Sequence, residues 1–217
     1  LKAGGRYYVD HHDTTLFAFT IPEDEMKKEE KPAVRIAAAH TDFPCLRIKP
    51  SCDVVTNRYA QVNIEVYGGA ILNTWLDRPL SASGRVALRS DDVFHPQMRL
   101  VDFKKPFLTI PNLAIHMNRE ANSGYKYNVQ KDMLPLYGLE SAKGSFFKTV
   151  AEAAGVKEED ILGHDQFLYN RMPGTVWGSE EEFVSAPRLD DLQCAFSSME
   201  GLIAGKNEKS VCVHMVM

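Results

Sequence analysis

An apolar run that ends in His-x-Asp is the feature that most limits what this chain can fold into. Val34, Ile36 and the alanines at 37–39 predict a continuously buried strand, with His40 and Asp42 at its end. Open α/β sheets bind ligands where their strands end. Residues i and i+2 of an extended chain point the same way, so the imidazole could bind a metal ion while the carboxylate orients a neighbouring group. Taken alone, this spacing is more often a surface pair or a structural core histidine.

Two adjacent carboxylates, Asp190 and Asp191, stand directly before a strongly amphipathic segment. Its apolar residues recur at helical spacing: Leu192, Ala195, Phe196, Met199, Leu202 and Ile203. Gly205 follows where helices commonly end. Aspartate is a favoured N-cap, and its charge suits the positive end of the helix dipole. The functional interpretation is that Asp190 bridges two metal ions while Asp191 caps the helix, and sequence alone does not separate the two roles.

Seven short blocks of the sequence match one enzyme family in the same order. They are Gly5–Val9, His40–Arg47, Tyr67–Gly69, Thr74–Arg78, Gly84–Val86, Ile110–His116 and Pro187–Asp190. Through these blocks the chain resembles the aspartyl aminopeptidase family of dinuclear zinc metallopeptidases, from Gly5 to about Ala204. A dinuclear metal centre, two zinc ions by expectation, is therefore implied by the resemblance.

The resemblance also implies roles for individual residues. It places one metal ligand on His40, a supporting carboxylate on Asp42 and the bridging carboxylate on Asp190. It places His116 at a dimer interface, from which it reaches the partner's active site to bind substrate or stabilise the developing oxyanion. The family usually has Asn after the bridging Asp, whereas this chain has Asp191, so which of the two carboxylates bridges stays open.

The implied fold is α/β: a mixed-sheet metallopeptidase domain, incomplete here, interrupted by a β-rich dimerisation domain. Its dimers are expected to assemble further, usually into a dodecamer. Within the insert, we predict a helix over 145–154 that buries Phe147, and a loop over 122–137. The predicted segments are 1–45 and 178–217 for the catalytic domain and 46–177 for the dimerisation domain.

Both chain ends are interpreted as cut. The family's remaining ligands, a Glu-Glu pair, a further Asp and a C-terminal His, are expected beyond the apolar strand that begins near Val211 and runs to Met217 without a turn or cap. The chain also starts on Leu1 rather than Met. We therefore expect the isolated chain to be inactive.

Composition limits the possible partners. The chain has 44% hydrophobic and 25% charged residues, as globular proteins do, and no apolar run approaches a membrane span. Its net charge of −4 comes without a basic stripe, which argues against nucleic acid. The four cysteines lack C-x-x-C spacing, which favours reduced thiols in the cytoplasm. A charge-rich loop is predicted over 23–31.

The predicted function is that of a metal-dependent aminopeptidase that removes N-terminal residues, Asp or Glu by expectation, from peptides. Arg85 and Lys126 are candidate partners for an acidic substrate side chain. Two alternatives stay open: a non-catalytic assembly or cargo-binding module without a metal centre, and a related dinuclear peptidase with different specificity.

Overall fold

The computed structural model describes residues 1–23, 31–206 and 208–217. Residues 24–30 of the predicted charge-rich loop lie outside this range. The described strands are β1 (Arg6–His11), β2 (Thr15–Thr20), β3 (Ala33–Ala39), β4 (Cys45–Thr56), β5 (Tyr59–Tyr67), β6 (Leu80–Leu88), β7 (Gln97–Asp102), β8 (Leu136–Leu139), β9 (Ile161–Asn170), β10 (Thr175–Trp177), β11 (Phe183–Ser185) and β12 (Ser210–Val216). The described α-helices are α1 (Val129–Asp132), α2 (Ser145–Ala154) and α3 (Leu189–Ala204). None of these helices combines the length and the apolar character needed to cross a membrane.

The chain divides into two compact units. Residues 1–43 and 175–217 form the first unit, and residues 44–174 form the second. The predicted division into catalytic and dimerisation domains, after residues 45 and 177, stays a prediction. The dimerisation role of the inserted segment stays a prediction.

The first unit is built on a mixed four-stranded sheet in the order β1-β2-β12-β3. Strands β1 and β2 form an antiparallel hairpin, and β12 pairs antiparallel with β2 and parallel with β3. The strand predicted before His40 is confirmed, but its predicted burial is wrong: Val34 is 58% exposed and Ile36 68%. Strand β3 is the last strand of the described sheet, so it pairs with another strand, β12, along one edge only.

Helix α3 packs on β2, β3 and β12 of this sheet. The predicted helix is confirmed, with regular geometry starting after Asp191, because Asp190 and Asp191 have non-helical backbone angles. Its predicted apolar face is largely uncovered: Ala195 is its one buried residue, and Phe196 is 69% exposed. The amphipathic spacing therefore predicts the helix correctly but not what covers it.

The second unit is an antiparallel six-stranded sheet in the order β7-β6-β9-β4-β5-β8. Strand β5 buries alternate residues, and Ala60, Val62 and Ile64 on one face are fully buried. Helix α2 begins and ends at the predicted residues, but it buries Phe146 rather than Phe147, which is half-buried. The two phenylalanines are adjacent, and either fits the helical spacing to within one position. Tertiary packing, which the spacing does not specify, determines which of them is buried.

Two predictions for the second unit need correction. The segment predicted as a loop over 122–137 contains α1 and the first residues of β8. The apolar alternation before His116 predicts a short strand that ends at this residue, but His116 lies instead in a turn closed by a hydrogen bond from the Met117 N–H to the Ala114 carbonyl, 2.8 Å long. Short apolar alternation in 113–116 is too weak a signal to separate a strand from a turn.

Candidate functional site

The end of β3 positions His40. Parallel pairing with β12 continues past the strand: the Met217 N–H donates to the Ala39 carbonyl at 3.1 Å, and the Thr41 N–H donates to the Met217 carbonyl at 2.8 Å. The backbone on both sides of His40 is therefore fixed to the neighbouring strand. The histidine itself lies at the carboxyl end of β3, where open sheets commonly bind ligands.

Asp42 orients the His40 ring. Nδ1 of His40 lies 3.0 Å from the Asp42 carbonyl oxygen and 3.1 Å from its carboxylate Oδ1. With Nδ1 as the donor, the Nε2 lone pair is free to bind a metal ion, an arrangement typical of metal-binding histidines. The hydrogen bond to the Asp42 carbonyl raises the pKa of His40, and the nearby Asp191 and Asp42 carboxylates raise it further.

Two carboxylates lie close to Nε2 of His40. Asp190 Oδ1 is 3.9 Å from this nitrogen, and Asp191 Oδ2 is 3.8 Å from it. The two side chains differ in environment, because that of Asp190 is 96% exposed and that of Asp191 is 15% exposed. The outer carboxylate is thus open to a ligand, whereas the inner one is held within the protein.

Asp191 has a different role from the helix cap considered above. The N-cap position is Arg188, whose side chain makes no capping hydrogen bond. The Asp191 carboxylate instead accepts a hydrogen bond from the His40 backbone N–H at 3.2 Å. The Cys194 thiol donates to the same carboxylate, and this bond, followed by that from His40, lowers the pKa of Asp191. The peptide bond between Asp190 and Asp191 is cis.

The chemical types of the His40 and Asp190 side chains are those that bind zinc. An imidazole nitrogen with a fixed tautomer and an exposed carboxylate are both common zinc ligands. In the part of the chain that the structure describes, no group of three or more His, Cys, Asp and Glu side chains is arranged to hold a metal ion. His40 and Asp190 therefore fit part of a zinc site, because zinc generally takes four ligands.

The structure brings together His40, Asp42 and Asp190, all within the first unit. His116, Arg85 and Lys126 belong to the second unit. His116 and Lys126 are exposed, and the Arg85 guanidinium lies 3.7 Å from the Asp165 carboxylate. Sequence reasoning missed the bonds from His40 and Cys194 to Asp191. A thiol donor three residues after a carboxylate at a helix start is the one local signal for them.

A family model described as aminopeptidase I zinc metalloprotease, M18, matches residues 1–217. A probable M18 family aminopeptidase 2 of Clostridium novyi is 40% identical over 218 residues, covering 98% of this chain and 50% of that protein. Its counterpart in Clostridium acetobutylicum is 41% identical over 211 residues, covering 95% and 48%. The chain spans about half the length of the curated relatives it matches.

Solved structures share this fold. Ape4, determined by cryo-EM in complex with Nbr1, matches with a TM-score of 0.85 and 31% identity, covering 100% of this chain and 45% of that one. The mApe1 of Chaetomium thermophilum matches with a TM-score of 0.83 and 25% identity, covering 100% and 52%. The mApe1 of S. cerevisiae, solved as a dodecamer, matches in fold with a TM-score of 0.74 and 24% identity, covering 98% and 49%.

Proposed function

The chain belongs to the M18 family of aminopeptidase I zinc metalloproteases, and on that premise we propose that it serves in a metal-dependent aminopeptidase that removes N-terminal residues, above all Asp or Glu, from peptides. The observation that carries the proposal is the approach of His40 Nε2, with its tautomer fixed by Asp42, to the exposed carboxylate of Asp190 at 3.9 Å. Imidazole nitrogens and carboxylate oxygens are both ligands that catalytic zinc sites use.

In this proposal His40 and Asp190 would hold the zinc ions. When bound, such ions polarise the scissile carbonyl and lower the pKa of a bound water. Asp42 is assigned the work of orientation, since its carbonyl and carboxylate keep the proton of His40 on Nδ1. Losing a partner of this kind typically weakens metal affinity or activity about 10–100-fold.

We also propose that the working enzyme is a cytoplasmic homo-oligomer, a dimer that assembles to a dodecamer, in which the partner's His116 contributes to each active site. Two observations support this part. His116 is exposed in a turn of the second unit, free to meet another molecule. The yeast protein mApe1, which has the same fold, was solved as a dodecamer.

The experiment uses the whole purified enzyme, zinc analysis and peptides with free or blocked N-termini. Asp190→Asn should remove most bound zinc and abolish hydrolysis, because an amide is a poor bridging ligand. Glu200→Gln makes the same change at an exposed position of α3 and should retain both. Peptides that begin with Asp or Glu should be cleaved faster than those that begin with Leu.

Three outcomes would contradict parts of the proposal. Hydrolysis of peptides with blocked N-termini would identify a different peptidase specificity. A faster rate on Leu would refute the acidic preference. A whole protein that binds no zinc and cleaves no peptide would instead support an assembly or cargo-binding module.

A further inference from the structure

We propose that Asp191 is a positioning residue, whose carboxylate accepts the His40 backbone N–H and so holds the His40 imidazole beside Asp190. The inference deepens the function proposed above and rests on it for the identity of His40 as a metal ligand. It concerns a position at which this chain has Asp and the resembling family usually has Asn.

The hydrogen bond from the His40 backbone N–H to Asp191 joins two segments that are distant in the sequence. His40 N to Asp191 Oδ2 is 3.2 Å and joins residues 151 positions apart, so it ties the end of β3 directly to the start of α3. A charge-assisted bond of this kind is stronger than a bond between neutral groups. Its removal leaves the His40 N–H without the acceptor that fixes its position.

The carboxylates of Asp190 and Asp191 differ in their exposure and in their hydrogen bonds. The Asp190 side chain is 96% exposed, whereas that of Asp191 is 15% exposed. The Asp191 carboxylate also accepts a hydrogen bond from the Cys194 thiol. The partly covered carboxylate of Asp191 already accepts hydrogen bonds from the protein, so it suits orientation. The exposed carboxylate of Asp190 suits binding an ion.

Other contacts hold the backbone around His40 in place. Backbone bonds to Met217 hold Ala39 and Thr41, on either side of His40, against β12. The Arg188 guanidinium lies over the Phe43 ring at 5.4 Å, a cation–π contact that again joins the segment after β3 to the start of α3. Asp42 acts on the His40 ring, whereas Asp191 acts on the His40 backbone N–H.

The test uses the whole purified enzyme, first without metal and then with Zn²⁺ as the probe. Hydrogen exchange of the His40 amide, followed by NMR, reports the bond, and the Ala37 amide, which faces β12 in the parallel pairing, serves as an internal reference. Asp191→Ala should make the His40 amide exchange at least about tenfold faster and leave Ala37 unchanged. Asp191→Asn should restore part of the protection, because its amide oxygen can still accept.

Zn²⁺ titration followed through the His40 ring resonances then measures the consequence. Asp191→Ala should weaken binding at His40 about 10–100-fold, with Asp191→Asn in between and the exposed-site control Glu200→Ala unchanged. A general loss of folding would speed exchange at Ala37 and His40 alike, so it would differ from this pattern.

The possible failures are distinguishable. Equal protection of His40 in Asp191→Ala and in the control variant would overturn the positioning role. So would loss of protection with unchanged Zn²⁺ affinity. If Zn²⁺ leaves the His40 ring unmoved in the unsubstituted whole enzyme, the metal role assigned to His40 in the proposed function fails, while the amide measurement still decides whether Asp191 holds this backbone.

Discussion

The two units of the chain differ sharply in how they use their apolar residues. The second unit buries a continuous cluster that includes the fully covered Leu46, Leu80 and Leu168. Among the described residues of the first unit, the buried side chains are few and small or polar, including Ala18, Ala195 and His214. The unit that carries the candidate metal ligands therefore has the thinner core.

This difference shows what apolar spacing does and does not predict. Alternation in β5 and the apolar stripe of α3 are equally clear in the sequence. In the second unit the six-stranded sheet and α2 pack against each other, so the apolar residues of both are buried. In the first unit the equivalent residues, such as Ile36 and Phe196, stay more than half exposed. Periodicity identifies a face that can pack, and burial then depends on a partner surface.

The largest stability effect should come from the core of the second unit. Phe146 is fully buried, with its ring centroid 5.6 Å from that of Phe103 and 5.9 Å from that of Tyr137. Phe146→Ala should lower the free energy of unfolding by about 3–5 kcal/mol, the usual cost of removing a buried aromatic ring. Urea unfolding monitored by fluorescence and circular dichroism measures this loss.

Phe147→Ala, one position along the same helix, is the matched control. Because Phe147 is half-buried and contacts His164 at its edge, its replacement should cost clearly less than that of Phe146. Equal losses for the two variants would mean that the α2 face is assigned wrongly.

The next effect tests whether both units are needed for catalysis. If the partner's His116 donates to the oxyanion, His116→Ala in the whole enzyme should lower kcat about 10²–10³-fold, as loss of one such donor does. Mixing this variant with inactive Asp190→Asn subunits should restore partial activity in heterodimers, where an intact metal centre meets an intact histidine. Reassembled mixtures shown to contain heterodimers yet without activity would refute the shared site, and so would a fully active His116→Ala enzyme.

The sequence predicts those parts of the fold that local residue patterns determine. The bounds of α2 and the buried face of β5 follow from spacing and end signals within a few residues. The proximity of His40 to Asp190 could not be derived from spacing, since 149 positions intervene, and it was anticipated only through the family resemblance. The bond between His40 and Asp191 was not anticipated, because which of two adjacent carboxylates turns inward depends on backbone angles that the sequence does not specify.

A smaller effect should appear as a pH dependence of the second unit. Burial lowers the pKa of His164, which packs edge-on against Phe147. The unfolded chain then binds a proton to this residue more readily than the folded one. Stability should be unaffected by His164 above about pH 6.5, the ordinary histidine value, and should fall as the pH drops from there to the lowered folded pKa. His164→Gln should flatten this part of the stability profile while leaving the slope at higher pH unchanged, as measured by urea midpoints from pH 5 to 8.

The smallest effect should come from the exposed strand of the first unit. Ile36 is 68% exposed on β3, so Ile36→Ala should change the free energy of unfolding by no more than about 0.5 kcal/mol, as surface substitutions usually do. Ile64→Ala removes the same atoms from a fully buried position of β5 and should cost about 2–5 kcal/mol. The pair of variants thus measures the contrast between the units with one chemical change. A loss of 2 kcal/mol or more at Ile36 would show that this face is covered in solution, and if the loss grew with protein concentration the covering surface would be a second copy of the chain.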